Sequence, residues 1–199
     1  MKIIGLTGGV ASGKNFVASH FKRLKIPVFD ADFEVHKLFA VDAGIFLKIQ
    51  TNFPGAIQNN KIDRKILGVE VLGNEKKLSN LEKIIYPKLR QKEDEFIKKY
   101  SRQRRKMVVL NIPLLFEKGG YKRCDKNIAV MASKKIQFSR FKKRFGKNID
   151  ENFIAKMFQN ITTKQMNNLQ RKNQADYLVN NGLSKAFSFR QIKNILLNI

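Results

Sequence analysis

The chain opens with MKIIGLTGGVASGKNFVASHFKRL (residues 1–24), and this stretch decides the fold. The apolar run Ile3–Leu6 predicts a buried strand, and a glycine-rich loop follows it directly. The next residues predict a helix of about ten residues, because Val17, Phe21 and Leu24 then share one face. A strand, a tight loop and a helix in this order indicate the first unit of a parallel α/β sheet.

Short apolar runs continue to alternate with segments of helical period along the rest of the chain. This alternation predicts a single Rossmann-like α/β core. The predicted strands are Ile3–Leu6, Pro27–Phe29, Met107–Ile112, Asn127–Met131 and Tyr177–Val179.

A helical insertion is predicted from about Val35 to Tyr100, with no clear strand in it and with Pro87 beginning one of its helices. Ser133 is the predicted N-cap of a helix through Phe145, and Ser184 that of the last helix.

Residues 8–15, GGVASGKN, match the Walker A pattern G-x-x-x-x-G-K-[ST] at every position except the last. Inward-facing backbone N–H groups of such a loop bind phosphate, and the helix N-terminus adds partial positive charge. Lys14 would then reach the β- and γ-phosphates of a nucleotide. The alternative is a glycine-rich strand-to-helix turn that binds no ligand.

The exception is Asn15, where a Ser or Thr hydroxyl normally ligates Mg²⁺. An amide oxygen is also a hard ligand, but Asn is one atom longer and Mg²⁺ requires regular octahedral geometry. Asn15 therefore substitutes imperfectly, binds the metal through water, or leaves it to carboxylates.

Two acids, Asp30 and Asp32, follow the second predicted strand. The carboxyl ends of parallel strands line the ligand crevice of an open sheet. Transfer of a phosphoryl group to an alcohol uses a carboxylate that accepts the hydroxyl proton. We expect Asp32 to be this base and Asp30 to contact water and metal; the alternative is that Asp32 only caps the next helix.

The 199-residue chain carries a net charge of +24. A nucleic-acid binder, an enzyme with multiply phosphorylated substrates, and codon bias in an AT-rich genome all account for this charge. A single cysteine, Cys124, indicates a reducing compartment, and no apolar run is long enough to cross a membrane. We therefore expect a soluble cytoplasmic protein; His20 and His36 lack partner motifs and are expected to be structural.

Six segments along the chain form one larger pattern: GLTGG (5–9), GK (13–14), DAD (30–32), IPLLFE (112–117), QFSRFKKR (137–144) and ADYLVN (175–180). Together they resemble the dephospho-coenzyme A kinase family, P-loop kinases of the nucleoside monophosphate kinase type. Tyr86-Pro87 stands where this family usually has His-Pro.

The resemblance implies a single P-loop kinase domain over residues 1–199, with a five-stranded parallel sheet, a helical substrate-binding subdomain near residues 35–100 and a lid near residues 133–160. It implies transfer of the γ-phosphate of ATP, with Mg²⁺, to the ribose 3′-hydroxyl of dephospho-CoA, the last step of coenzyme A synthesis. The implied enzyme is a monomer with no specific nucleic acid and no membrane partner.

The resemblance also assigns roles to individual residues. The implied catalytic residues are Lys14, Asp32 and Arg140, and the implied metal ligand is Asn15. ATP binding falls to Gly9, Val10, Ala11, Ser12, Gly13, Lys14, Asn15, Phe16 and Arg144. Substrate contact falls to Thr7, Asp32, Tyr86, Leu115 and Glu117.

The spacing of Gln137, Arg140 and Arg144 at i, i+3 and i+7 places them on one helix face. A planar guanidinium suits the charge of a transferring phosphoryl group, so Arg140 is the expected lid arginine; the alternative is a solvated surface cation.

Four positions depart from the family pattern besides Asn15, and the first is Phe16, which stands where Thr is common. Ala11 replaces the usual glycine and is costly only if this position needs a positive φ. Tyr86 removes a titrating group, and Asn111 stands where P-loop proteins often carry an acid that organises Mg²⁺. Two other functions therefore stay open: another P-loop kinase with a nucleotide or small-molecule acceptor, or a degenerate protein that binds nucleotide or nucleic acid.

Overall fold

The computed structural model describes residues 1–71, 74–145 and 149–199. The chain divides into two compact units. The first comprises Met1–Phe29 with Tyr100–Ile199, and the second comprises Asp30–Lys99.

A parallel sheet of five strands, counted over the described residues, forms the centre of the first unit. Its strands are β1 (Lys2–Gly8), β2 (Val28–Asp30), β5 (Met107–Asn111), β6 (Lys126–Met131) and β7 (Tyr177–Asn180), with β3 (Ile57–Gln58) and β4 (Lys61–Ile62) elsewhere. The strand order is β2-β5-β1-β6-β7, so the strand that precedes the phosphate loop lies in the middle. The prediction of a parallel α/β core is confirmed.

The helices of the first unit are α1 (Lys14–Arg23), α6 (Lys134–Lys142), α7 (Glu151–Thr163), α8 (Asn168–Gln174) and α9 (Lys185–Leu197). Helices α1 and α9 contribute Val17, Phe21 and Ile192 to the core that covers β1. Burial of side chains of this size stabilises the fold by roughly 1.5–3 kcal/mol each.

Both predicted serine caps are confirmed, because Ser133 accepts from the Ile136 N–H and Ser184 from the Phe187 N–H. Helix α6 stops short of the predicted Phe145. The amides of Arg144 and Phe145 bond the carbonyls three residues back, which tightens this end into turns.

The second unit contains α2 (Ala31–Val41), α3 (Ala43–Asn52), α4 (Arg64–Val71) and most of α5 (Glu75–Arg102). Its core includes Leu38, Ile49 and Phe53, all nearly inaccessible to solvent.

Two expectations for this region were wrong. Residues 57–62 form the small β3–β4 hairpin, whose turn residues Asn59 and Asn60 both have positive φ, as a tight two-residue turn requires. Pro87 does not begin a helix but lies inside α5, which continues because Ile84, Ile85 and Glu93 on either side are buried. No helix within the described ranges combines the length and the apolar character that a bilayer crossing needs.

Candidate active site

The phosphate loop joins β1 to α1, and Gly13 is the residue that fixes its shape. Its φ is 90°, in the left-handed region that favours glycine. A Cβ at this position would lie 2.0 Å from the Asn181 side-chain nitrogen. That same nitrogen donates to the Ser12 carbonyl over 2.9 Å, so Asn181 closes the loop from outside.

Ala11 also has a positive φ, 54°. An alanine in place of the usual glycine is therefore costly at this position. The left-handed conformation costs an L-residue roughly 1–2 kcal/mol. The Ala11 side chain is buried in a cluster with Phe141 and Ile154, and this burial offsets part of the cost.

Buried polar groups lie at and next to the loop. Lys14 begins α1 and is buried, and the hydroxyls of Thr7 and Ser12 are buried without a hydrogen-bond partner among the described residues. Because a buried hydroxyl without a partner is costly, this arrangement fits a loop that receives a phosphate group.

Asn15 and Asn111, which both depart from the family pattern near the expected metal, are in contact with each other. The Asn111 side-chain nitrogen donates to Asn15 Oδ1 over 3.1 Å. Asn111 is fully buried at the end of β5, whereas Asn15 is exposed. An amide oxygen is a ligand that Mg²⁺ accepts, and Mg²⁺ bound to nucleotide takes few protein ligands, so Asn15 fits a metal delivered with ATP, although the bond from Asn111 competes for the same oxygen.

The Arg140 side chain contacts the backbone of the loop. Its two terminal nitrogens donate to the carbonyls of Ser12 and Asn181 over 3.0 and 2.7 Å. The interpretation of Arg140 as a solvated surface cation was therefore wrong. A contact between Arg140 and a phosphoryl group remains a prediction, as does ATP binding by Arg144, which is exposed beyond the end of α6.

Sequence reasoning missed Arg171, Gln165 and Asn181. Gln165 accepts from the Val10 N–H of the loop over 2.9 Å. Arg171 is 3% exposed and donates to Glu117 over 3.0 Å. No local pattern marks these residues, because their partners are remote in sequence; the only signal is the ADYLVN segment that precedes Asn181.

Two residues of the PLLFE segment were expected to contact substrate. Leu115 is fully buried and lies beneath Gly5, so its side chain is a packing group here. Glu117 Oε1 accepts from Arg171 and from the Met166 N–H. Substrate contact by either residue remains a prediction.

Asp32 and Tyr86 belong to the second unit. Asp30, not Asp32, caps α2 by accepting from the Phe33 N–H over 3.1 Å, so the interpretation of Asp32 as the helix cap was wrong. Asp32 is exposed in the first turn of α2. The Tyr86 hydroxyl donates to Glu82, and burial together with this carboxylate raises the pKa of Tyr86, so it stays protonated.

The family model described as dephospho-CoA kinase matches residues 2–186. The chain belongs to the dephospho-CoA kinase family. The family resemblance seen in the sequence is confirmed, and the loop, the PLLFE segment and the ADYLVN segment all fall within the match.

Relatives in this family are similar to this chain over most of their length. The dephospho-CoA kinase of Bartonella quintana is 40% identical over 199 residues, which is 100% of this chain and 98% of the relative. Protein TT1252 from Thermus thermophilus has a similar crystal structure, with a TM-score of 0.81, 26% identity and coverage of 100% and 97% of the two chains. The dephospho-CoA kinase from Campylobacter jejuni shares the fold, with a TM-score of 0.67, 22% identity and coverage of 98% and 96%.

Proposed function

We propose that this member of the dephospho-CoA kinase family transfers the γ-phosphoryl group of ATP to the ribose 3′-hydroxyl of dephospho-CoA. The main support is the phosphate loop, shaped by Gly13 and followed by the buried Lys14, in a chain that matches this family over residues 2–186. The buried hydroxyls of Thr7 and Ser12 supply further donors for phosphate oxygens.

The loop amides, the N-terminus of α1 and Lys14 bind the β- and γ-phosphates. Asp32 accepts the proton of the 3′-hydroxyl as its oxygen attacks the γ-phosphorus. The bond from that phosphorus to the β–γ bridging oxygen breaks, and ADP leaves with the bonding electrons. Asn15 is the residue that would ligate Mg²⁺, which when bound would neutralise part of the phosphate charge.

The lone cysteine Cys124 and the absence of a candidate membrane helix among the described residues are compatible with a cytoplasmic protein. We infer that it acts there as a monomer, which light scattering on the purified protein would test.

The test is an ATP-coupled assay with dephospho-CoA, run beside AMP, adenosine and shikimate as other acceptors. Phosphorylation of dephospho-CoA alone is the expected result. A preference for another acceptor would reassign the substrate, and no transfer to any of them would indicate a degenerate kinase. Lys14→Ala is expected to abolish transfer without changing the thermal unfolding midpoint, because the ammonium serves the phosphates.

A further inference from the structure

Arg171 is a buried cation that the roles assigned so far do not use. It lies in the short helix α8, and its Nη2 donates to Glu117 Oε1 over 3.0 Å. Its Nε is buried without an acceptor among the described residues. Burial lowers the pKa of this guanidinium and Glu117 opposes that shift, but an arginine side chain keeps its proton in proteins.

The guanidinium lies against the phosphate loop. A Cβ placed on Gly9 would be 3.0 Å from Arg171 Nη1 and 2.9 Å from the Gln137 side-chain nitrogen. Together with Lys134 and Val10, these residues line a cavity of about 350 Å³. A cavity beside loop amides, with a buried guanidinium and an amide donor at its wall, has the chemistry of an oxyanion site.

Arg140 and Arg171 differ in the hydrogen-bond donors that they can offer to a ligand. Both terminal nitrogens of Arg140 donate to backbone carbonyls, so this guanidinium stabilises the loop in the observed conformation. Among the residues that the structure describes, Arg171 has one carboxylate partner for its five N–H groups. It therefore retains donors that a phosphoryl group with three peripheral oxygens can accept from.

We propose that Arg171 donates hydrogen bonds to the γ-phosphoryl group of ATP during transfer, and that Glu117 positions it. This inference rests on the proposed function. As the phosphorus leaves the β–γ bridging oxygen for the substrate 3′-oxygen, negative charge spreads over its peripheral oxygens, and a fixed guanidinium stabilises that charge.

Glu117 is a positioning residue in this scheme. Its Oε1 accepts from Arg171 and from the Met166 N–H over 2.9 Å, which ties the start of α8 to the PLLFE segment. The capping box of Asn167 and Gln170 fixes the same end of α8. The guanidinium therefore stands in one orientation before nucleotide binds, and such preorganisation is what charge stabilisation requires.

The experiment must separate this role from mere packing, because Arg171→Met leaves the Glu117 carboxylate buried without its cation. Four variants are compared: Arg171→Met, Arg171→Lys, Glu117→Gln and the double variant Glu117→Gln/Arg171→Met. Lys172→Met removes an exposed charge one residue along the same helix and is the matched control. The readouts are kcat, KM for ATP, the thermal unfolding midpoint, and the ratio of ATP to ADP affinity by calorimetry.

Arg171→Met is expected to lower kcat by about 10²–10³-fold and to reduce the preference for ATP over ADP. Arg171→Lys restores part of kcat, since charge returns without the fork geometry. Glu117→Gln lowers kcat less than Arg171→Met does. The double variant recovers the thermal midpoint that the single Arg171→Met variant loses, but it does not recover kcat.

Recovery of kcat in the double variant would overturn the proposal, because it would show that the pair serves packing alone. A wild type that transfers no phosphate to any acceptor would refute the proposed function instead. In that case the ratio of ATP to ADP affinity tests whether Arg171 contacts the γ-phosphoryl group. An unchanged preference for ATP in Arg171→Met would overturn that contact.

Discussion

Replacing Asn15 by Thr should lower the Mg²⁺ concentration needed for half-maximal activity. In the structure, Asn15 Oδ1 already accepts from the Asn111 side chain over 3.1 Å, so metal binding competes with that hydrogen bond. A neutral hydrogen bond contributes about 0.5–1.5 kcal/mol net, which corresponds to roughly 2- to 13-fold in metal affinity. Thr supplies a shorter hydroxyl ligand, so the half-saturating concentration should fall by about this factor.

The assay is a Mg²⁺ titration at saturating ATP and dephospho-CoA for wild type, Asn15→Thr, Asn111→Asp and the double variant. The double variant restores a hydroxyl beside an acid, so its effect should exceed the sum of the single effects by about 1 kcal/mol or more. Superimposable curves for wild type and Asn15→Thr would refute the reasoning, because they would show that neither side chain limits metal binding.

Four further outcomes are expected. Asp32→Asn should lower kcat by roughly 10²-fold with ATP affinity nearly unchanged, since it removes a proton acceptor; loss of thermal stability with the rate retained would contradict this. Gly13→Ala should lower the unfolding midpoint and abolish ATP binding, because its Cβ would overlap Asn181; calorimetry with ATP checks it. Burial, and then Arg23, lowers the pKa of His20 from 6.5, so the folded state binds this proton less tightly than the unfolded state. The free energy of unfolding should therefore fall as pH drops below about 6.5, and His20→Leu should flatten that dependence in urea titrations. Affinity for random duplex DNA should be weak and collapse with salt despite the charge of +24, and tight salt-resistant binding in a gel-shift titration would contradict this expectation.

The local parts of the fold were predictable from the sequence. The strand, loop and helix at residues 1–24 carry their own signals: an apolar run, a glycine at position 13 where φ is positive, and one apolar helix face. Ser133 and Ser184 are read correctly because capping depends on residues three positions apart. Pro87 was misread because its intrinsic cost in a helix is outweighed by burial of Ile84 and Ile85, which local pattern does not reveal.

The candidate site was predictable only where a motif marks it. Lys14 and Asn15 stand in a recognisable pattern, whereas Asn181 and Arg171 reach the loop through tertiary contacts. Asn181 bonds a residue 169 positions away, and Arg171 bonds one 54 positions away. Contacts over such separations depend on strand order, and a single sequence contains no local signal for them.

The bond between Asn181 and Ser12 also sets an order for events during synthesis. The loop is synthesised well before Asn181, whose side chain closes it and which lies just beyond β7. Arg140 bonds the carbonyl of that same late residue. A nascent chain that ends before Asn181 can form β1 and α1, but it lacks the side chain that closes the loop and the carbonyl that binds one nitrogen of Arg140. The nucleotide site is therefore completed only after Asn181 has been synthesised, and a chain that stops before this residue lacks a contact that holds the phosphate loop in its observed shape.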